Sequence, residues 1–253
     1  MAYPYDFKVL VSGKQVEVYK YKKNIWRDFK SKKDKNPAQK EPEQLDMFKQ
    51  YKLKQQRRQF SLNRTRTEIR RLVNSNTHLN KFLTLTFADN ITDLKKANYL
   101  FNQFVKRASY AWPGFEYVAV PEFQKRGAVH YHLLCNLPYV DVKEVQAVWG
   151  QGFVKLNRID SVNNAGAYMA KYLGKEADER TFGKKKFFKS QSLKTPVELL
   201  GRAAVMFFHR FLEKLAPVFE KVFSSEWTGE IEYSAYSISF EPFKNGASPP
   251  FRF

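Results

Sequence analysis

The residues with the most chemistry in them are His130-Tyr131-His132. In a strand, alternate residues share a face, so both imidazoles project one way while Tyr131 packs on the other. By themselves they are half a metal site. Upstream stand Glu122-Phe123-Gln124, then Lys125-Arg126-Gly127. The apolar runs 115–123 and 128–136 on either side read as a hairpin. A three-residue turn puts its last residue in the left-handed region, which suits Gly127. Gln124 then pairs with Ala128, and Glu122 faces His130 across the ladder. The carboxylate and both imidazoles share one face in that register. A two-residue turn would send Glu122 to the opposite face. Two imidazoles and a carboxylate, with no thiolate beside them, suit Mg²⁺ or Mn²⁺ in phosphate chemistry better than zinc.

The second reactive group is a tyrosine. Ala167-Tyr168-Met169-Ala170-Lys171-Tyr172-Leu173 lies in a predicted helix over 161–173, with Ser161 as N-cap and Gly174 past its end. Val162, Ala165, Gly166, Met169 and Leu173 form the core stripe. Tyr168 and Tyr172, four apart, fall together at one edge of it. Their structural reading is two boundary aromatics covering the core. Their chemical reading is a nucleophile. A phenol, with a reference pKa of about 10, attacks well only with a polarised phosphate or a base beside it. The metal site supplies that condition. Lys171 points elsewhere on a straight helix, but its long stem reaches a phosphate.

These groups must be held by ordinary elements. Residues 7–21 alternate around Ser12-Gly13-Lys14, a hairpin pattern. Residues 30–44 are polar, charged and twice interrupted by proline, which marks a connector. A helix over 46–77 opens at Asp46, and Phe82 to Phe87 is a strand. From about Asp93 a helix carries Leu94, Ala97, Phe101, Phe104, Val105 and Ala108 on one stripe, and Trp112-Pro113-Gly114 ends it. Asp141 to Trp149 is a short helix and Gly152 to Leu156 a short strand. Residues 175–195 read as a basic loop, and Pro196 begins a helix through Leu215. Residues 218–240 alternate like strands, and 245–253 form a loose tail. His78 and His209 fall in helical regions and read as structural or surface residues. The single cysteine, Cys135, follows an apolar run and reads as a buried strand residue; no disulfide can form within the chain.

The chain of 253 residues carries 44 Lys or Arg against 25 Asp or Glu, a net +19. A surface this basic meets a polyanion. From Lys20 to Val73 there are 18 Lys or Arg and 6 Asp or Glu, so most of the excess sits in the first third. Arg57, Arg58, Arg64, Arg66, Arg70 and Arg71, with Lys125 and Arg126 in the hairpin turn, are the expected nucleic-acid contacts; a solvated helix face is the plain alternative. The longest apolar stretch, Ala203 to Phe208, is far too short to span a bilayer, and Met1 to Leu10 lacks a signal-peptide core. The expectation is a soluble protein of the bacterial cytoplasm with no membrane partner.

Phe82 to Phe87, then Glu122 with Gly127-Ala128-Val129-His130-Tyr131-His132, then Tyr168-Met169-Ala170-Lys171-Tyr172, resemble the three ordered motifs of the HUH endonucleases. Within that superfamily the pattern is most similar to rolling-circle replication initiators of small phages and plasmids. The resemblance covers about residues 80–175, and Lys186 to Lys194 also looks like a stretch that follows the tyrosine helix in such proteins. It implies an α+β fold, a central antiparallel sheet with packed helices in a ferredoxin-like or RRM-like arrangement, with the histidines on a central strand. It implies that His130, His132 and Glu122 hold Mg²⁺ or Mn²⁺, and that Tyr168 attacks to leave a 5′-phosphotyrosine and a free 3′-OH. Tyr172 matches the second tyrosine of two-tyrosine members, and Lys171 the lysine of their Tyr-x-x-Lys pattern. The implied partners are single-stranded DNA, an origin duplex or hairpin, and a host polymerase. Many viral relatives fuse a helicase, but a Gly-x-x-x-x-Gly-Lys-Ser/Thr loop is absent here, so a host helicase is expected. The expected organisation is a basic DNA-gripping extension over 1–78, separable from strand cleavage, an endonuclease domain over 79–243 and the tail 244–253. Relaxases and single-strand transposases share this chemistry, and a non-catalytic nucleic-acid-binding protein is the alternative of another class.

Overall fold

The computed structural model describes residues 3–27, 46–159, 165–171, 180, 183–225 and 228–243. The expected connector and tail lie outside them. The fold is α+β, with two antiparallel five-stranded sheets. The chain divides into two compact units, 50–194 and 1–49 with 195–253.

The unit 50–194 holds the candidate site. Its strands are β3 (Lys81–Thr86), β4 (Tyr117–Phe123), β5 (Val129–Cys135), β6 (Val154–Arg158) and β7 (Phe188–Lys189). They stand in the order β6-β3-β5-β4-β7, so the His-x-His strand is central. Every pair in that sheet is antiparallel. Both faces are covered, which is why β5 is buried along its whole length.

One face carries Leu83, Leu85, Ala119, Tyr131, Leu133 and Cys135 against helix α2 (Leu94–Ala111) and helix α3 (Val142–Trp149). The α2 stripe is the expected one, with Val105 half-buried. Asp93 caps α2 by accepting from the Lys95 amide at 2.9 Å, and Asp141 caps α3 from the Lys143 amide at 2.8 Å. Tyr131 stacks on Phe101 with centroids 4.3 Å apart, worth about 0.5–1.5 kcal/mol beyond burial. Its hydroxyl donates to Asn98 Oδ1 at 2.7 Å. Cys135 is fully buried, and burial pushes its thiol up to about 12, so it is an inert strand residue.

The opposite face carries Phe82, Val118, Val120 and Leu134. They pack on Ile69, Leu72 and Val73 of helix α1 (Met47–Asn74) and on Met169 of helix α4 (Ala165–Ala170). Asp46 accepts from the Phe48 amide at 3.5 Å at the start of α1.

The other unit is a sheet in the order β8-β1-β2-β10-β9. Its strands are β1 (Tyr3–Ser12), β2 (Gln15–Arg27), β8 (Val197–Leu200), β9 (Phe219–Ser225) and β10 (Gly229–Ser237). Helix α5 (Gly201–Phe211) packs Ala204 and Phe207 on Val9, Val11, Val16 and Val18. The hairpin at Gly13 and the alternating 218–240 segment are as expected. Among the described residues, no helix is long and apolar enough to cross a membrane.

The helix read from Pro196 is corrected. Residues 197–200 pair with β1, Val197 opposite Val11. Gly201 then turns the chain at φ +54, a left-handed residue that a continuous right-handed helix does not contain. The division at 78/79 is corrected as well. The first hairpin shares a sheet with β8 and β10, so it joins the C-terminal part of the chain. The second half of α1 supplies core to the sheet that carries the histidines, so residues 1–78 are not a detachable arm. Ile69 is 0% exposed. Ile69→Ala is expected to destabilise that unit by ~2–4 kcal/mol in denaturant titration, a loss that a residue of an appended arm would not produce.

Candidate active site

The β4–β5 turn sets the site. Gln124 N–H donates to Ala128 O at 2.9 Å and Gly127 N–H to Gln124 O at 2.8 Å, closing a turn over Lys125-Arg126-Gly127. Gly127 has φ +88, the left-handed region that favours glycine. The register follows: Glu122 lies opposite His130 and Val120 opposite His132. On the other side Thr84 lies opposite His132. Glu122, His130, His132 and Thr84 therefore share one face of the sheet.

His132 Nε2 and Glu122 Oε2 are 2.7 Å apart. His132 Nδ1 and Thr84 Oγ1 are 3.2 Å apart. A hydroxyl both donates and accepts, so Thr84 can hold either tautomer of His132. His130 is 9% exposed, and its buried Nε2 has no hydrogen-bond partner. Burial holds the His130 pKa below its ordinary value; His132 and Arg126 lower it further, and Glu122 partly offsets them. A neutral imidazole with an uncommitted nitrogen in a dry site is a lone-pair donor awaiting an acceptor.

The donor set thus fits a divalent ion in kind. Its arrangement is self-closed, because Glu122 and His132 bond each other directly. Among the described residues, no three His, Cys, Asp or Glu side chains converge on one point.

Tyr168 reaches the same face through aromatic contacts. Its ring meets Phe82 edge-on with centroids 5.3 Å apart, and Phe82 stacks on His132 at 5.8 Å. Tyr168 is half-buried at the stripe edge, while Met169 is fully buried. Lys171 Nζ folds back to 5.7 Å from the Tyr168 ring centroid, where a straight helix had aimed it away. Tyr172, Val162, Leu173 and the expected cap Ser161 lie outside the described residues.

The position of α4 depends on a close crossing with α1. Gly166 N–H donates to Asn74 Oδ1 at 3.3 Å. A Cβ on Gly166 would lie 2.4 Å from Arg70 O and 2.7 Å from Arg70 Cα, both backbone atoms.

The expected basic contacts separate in space. Lys125 and Arg126 are exposed at the turn, where Arg126 Nε donates to Gln124 Oε1 at 2.8 Å. Arg57 and Arg64 are exposed on α1, and Arg66, Arg70 and Arg71 are half-buried. Arg58 is only 8% exposed, so its expected surface role is corrected. It lies one turn before Leu62, on the side of α1 that packs inward.

Three contributors escaped sequence reasoning. Thr84 was legible only as a strand residue and Phe82 only as core. Arg180 sits in a basic segment with no pattern to single it out, yet its guanidinium lies 3.9 Å from the Phe123 ring centroid. Its Nη1 lies 3.5 Å from where a Gly127 Cβ would stand, so it is a cation beside the same hairpin. His78 and Glu116 form a separate surface pair at 2.5 Å, with Glu116 also accepting from the Ser192 hydroxyl. The carboxylate sits between histidine and serine there, an order that pins the chain and activates neither partner.

Residues 80–177 match the family model described as replication-associated protein ORF2. The match begins just before β3 and includes Glu122, His130, His132, Tyr168 and Tyr172. The chain is also similar to the Phasyl DNA replicon protein arp of Escherichia coli, 39% identical over 80 residues. That overlap spans 30% of this chain and 27% of the relative. No solved structure matches the chain.

Gly166→Ala is expected to push α4 off α1 and loosen the Tyr168–Phe82 contact. Hydrogen exchange should then lose protection at 165–171 while β5 stays protected; unchanged exchange at α4 would contradict the tight crossing.

Proposed function

We propose that this chain is a replication initiator that nicks DNA at a rolling-circle origin. The observation that carries the reading is the hydrogen-bonded Glu122–His132 pair beside the orphaned, buried Nε2 of His130. It stands in a segment matching replication-associated proteins, with Tyr168 one aromatic ring away.

His130, His132 and Glu122 are the residues to hold Mg²⁺ or Mn²⁺, which would take the place of the direct Glu122–His132 bond. Such an ion, when bound, supplies a Lewis acid for the scissile phosphate. Thr84 orients His132 from behind. Tyr168 Oη attacks phosphorus and gives up its proton. The bond to the 3′-oxygen breaks, and that oxygen leaves as a 3′-OH. The 5′ side stays on the protein as a phosphotyrosine, and reversal of the step rejoins strands. Lys171, beside the Tyr168 ring, orients the phenol or the phosphate. Tyr172 is proposed as the second tyrosine from the sequence pattern alone. The basic residues Lys125 and Arg126, and the exposed arginines of α1, bind the strand or the adjoining origin duplex or hairpin. A host helicase and polymerase unwind and extend.

The test is an adduct assay. Labelled single-stranded origin DNA with Mn²⁺ should give a covalent protein–DNA band that EDTA abolishes. Tyr168→Phe and His130→Ala should each reduce it by at least ~100-fold. The reading is falsified if no cognate strand gives an adduct with the folded wild-type chain. Binding alone, without an adduct, would favour the non-catalytic reading.

A second measurement isolates the metal. Thr84→Val removes the hydroxyl that orients His132, and Mn²⁺ affinity by calorimetry is expected to fall ~10–100-fold with the fold intact. Unaltered affinity would remove Thr84 from the site.

A further inference from the structure

We propose that a lysine-lined pocket between α1 and the segment entering β7 binds backbone phosphates of single-stranded DNA. The pocket has a volume of about 290 Å³. Lys184, Lys185, Lys186 and Lys189 line it, with Ser61 and Thr65 of α1. Among the described residues, none of the four ammonium groups has a carboxylate partner.

Lys186 shows what the pocket lacks. It is half-buried, and its Nζ donates to the neutral Ser61 hydroxyl at 2.7 Å. Burial lowers its pKa. A partly dehydrated cation held by a neutral oxygen gains most from an anion, through charge-assisted hydrogen bonds. Lys185 is held in place over the Phe188 ring at 4.7 Å. Lys184 and Lys189 are exposed and close the cluster. Four cations in one concavity with no counter-charge suit a phosphodiester chain, and an extended strand can offer several phosphates to them.

The position also suits a strand running away from the candidate site. Lys189 lies opposite Val118 in the ladder. Val118, Val120 and Glu122 alternate onto one face, the face of His130 and His132. The pocket therefore stands at the far end of β4 on that same face, on the order of 13 Å from Glu122 along the strand.

The inference rests on the proposed function only for single-stranded DNA as the ligand; it needs no cleavage. The full chain is titrated into fluorescein-labelled single-stranded DNA in EDTA, with anisotropy read over a salt series. Combined K184Q, K185Q, K186Q and K189Q is compared with K95Q, K96Q, K106Q and K143Q, which removes the same charge from the α2 and α3 layer. The pocket variant is expected to bind ~10-fold more weakly, with a log–log salt slope shallower by ~0.7 for each phosphate no longer neutralised. The control should keep the wild-type slope.

Equal losses in both variants, or none in the pocket variant, would overturn the inference. K184Q with K189Q, both at exposed positions, repeats the comparison if the fourfold variant is unstable. Inorganic phosphate and a nucleoside triphosphate are titrated in parallel. If the pocket variant loses only those ligands and keeps the oligonucleotide, the site serves free phosphate and the inference fails. If binding behaves as expected but no strand gives an adduct, the nicking reading falls and this one stands.

Discussion

The turn over Lys125, Arg126 and Gly127 determines which side chains meet. Its two hydrogen bonds and the left-handed Gly127 fix the pairing of β4 with β5. A one-residue slip would carry Glu122 to the α2 face, among Tyr131, Leu133 and Phe101. The carboxylate would then be buried without a partner and the histidines would lose it. The identity of one turn residue thus controls the charge balance of the whole site.

The sheet resists that slip because its two faces are covered by different partners. Tyr131 and Cys135 belong to the α2 and α3 layer, and Leu134 to the α1 and α4 layer. His130 and His132 lie on the second face, where the apolar covering gives way to polar groups. Their near-complete burial is costly unless their nitrogens are satisfied. His132 meets that demand with Glu122 and Thr84, while the Nε2 of His130 is left open. An unsatisfied buried donor or acceptor amid otherwise well-bonded structure is a common mark of a site built for something else.

Basic charge acts at several places rather than in one arm. The exposed arginines of α1, the hairpin turn and the lysines before β7 all border the unit that carries the histidines. Helix α1 combines two duties: its inner side completes a core, and its outer side stays cationic. A helix whose inner side is core cannot be removed without exposing the sheet, which is why the charge-based boundary at 78/79 misreads the chain.

Local patterning made the core of the site legible. The His-x-His alternation, the glycine at the third turn position and the α2 stripe are short-range signals, and each depends on strand or helix geometry that neighbouring residues dictate. Glu122 opposite His130 followed from counting residues across that turn. The Tyr168 stripe edge followed from helix periodicity. What local patterning could not supply was long-range pairing. The strand at 197–200 looked helical because its partner, β1, lies nearly two hundred residues earlier. The tight α1–α4 crossing at Gly166, the Phe82 ring between His132 and Tyr168, Thr84 behind His132 and Arg180 over Phe123 all join segments far apart in the chain. The sequence by itself therefore determined the reactive residues and the hairpin register that groups three of them. Only the tertiary structure decided which helix covers them and how the tyrosine approaches, because packing between distant segments leaves no periodic trace.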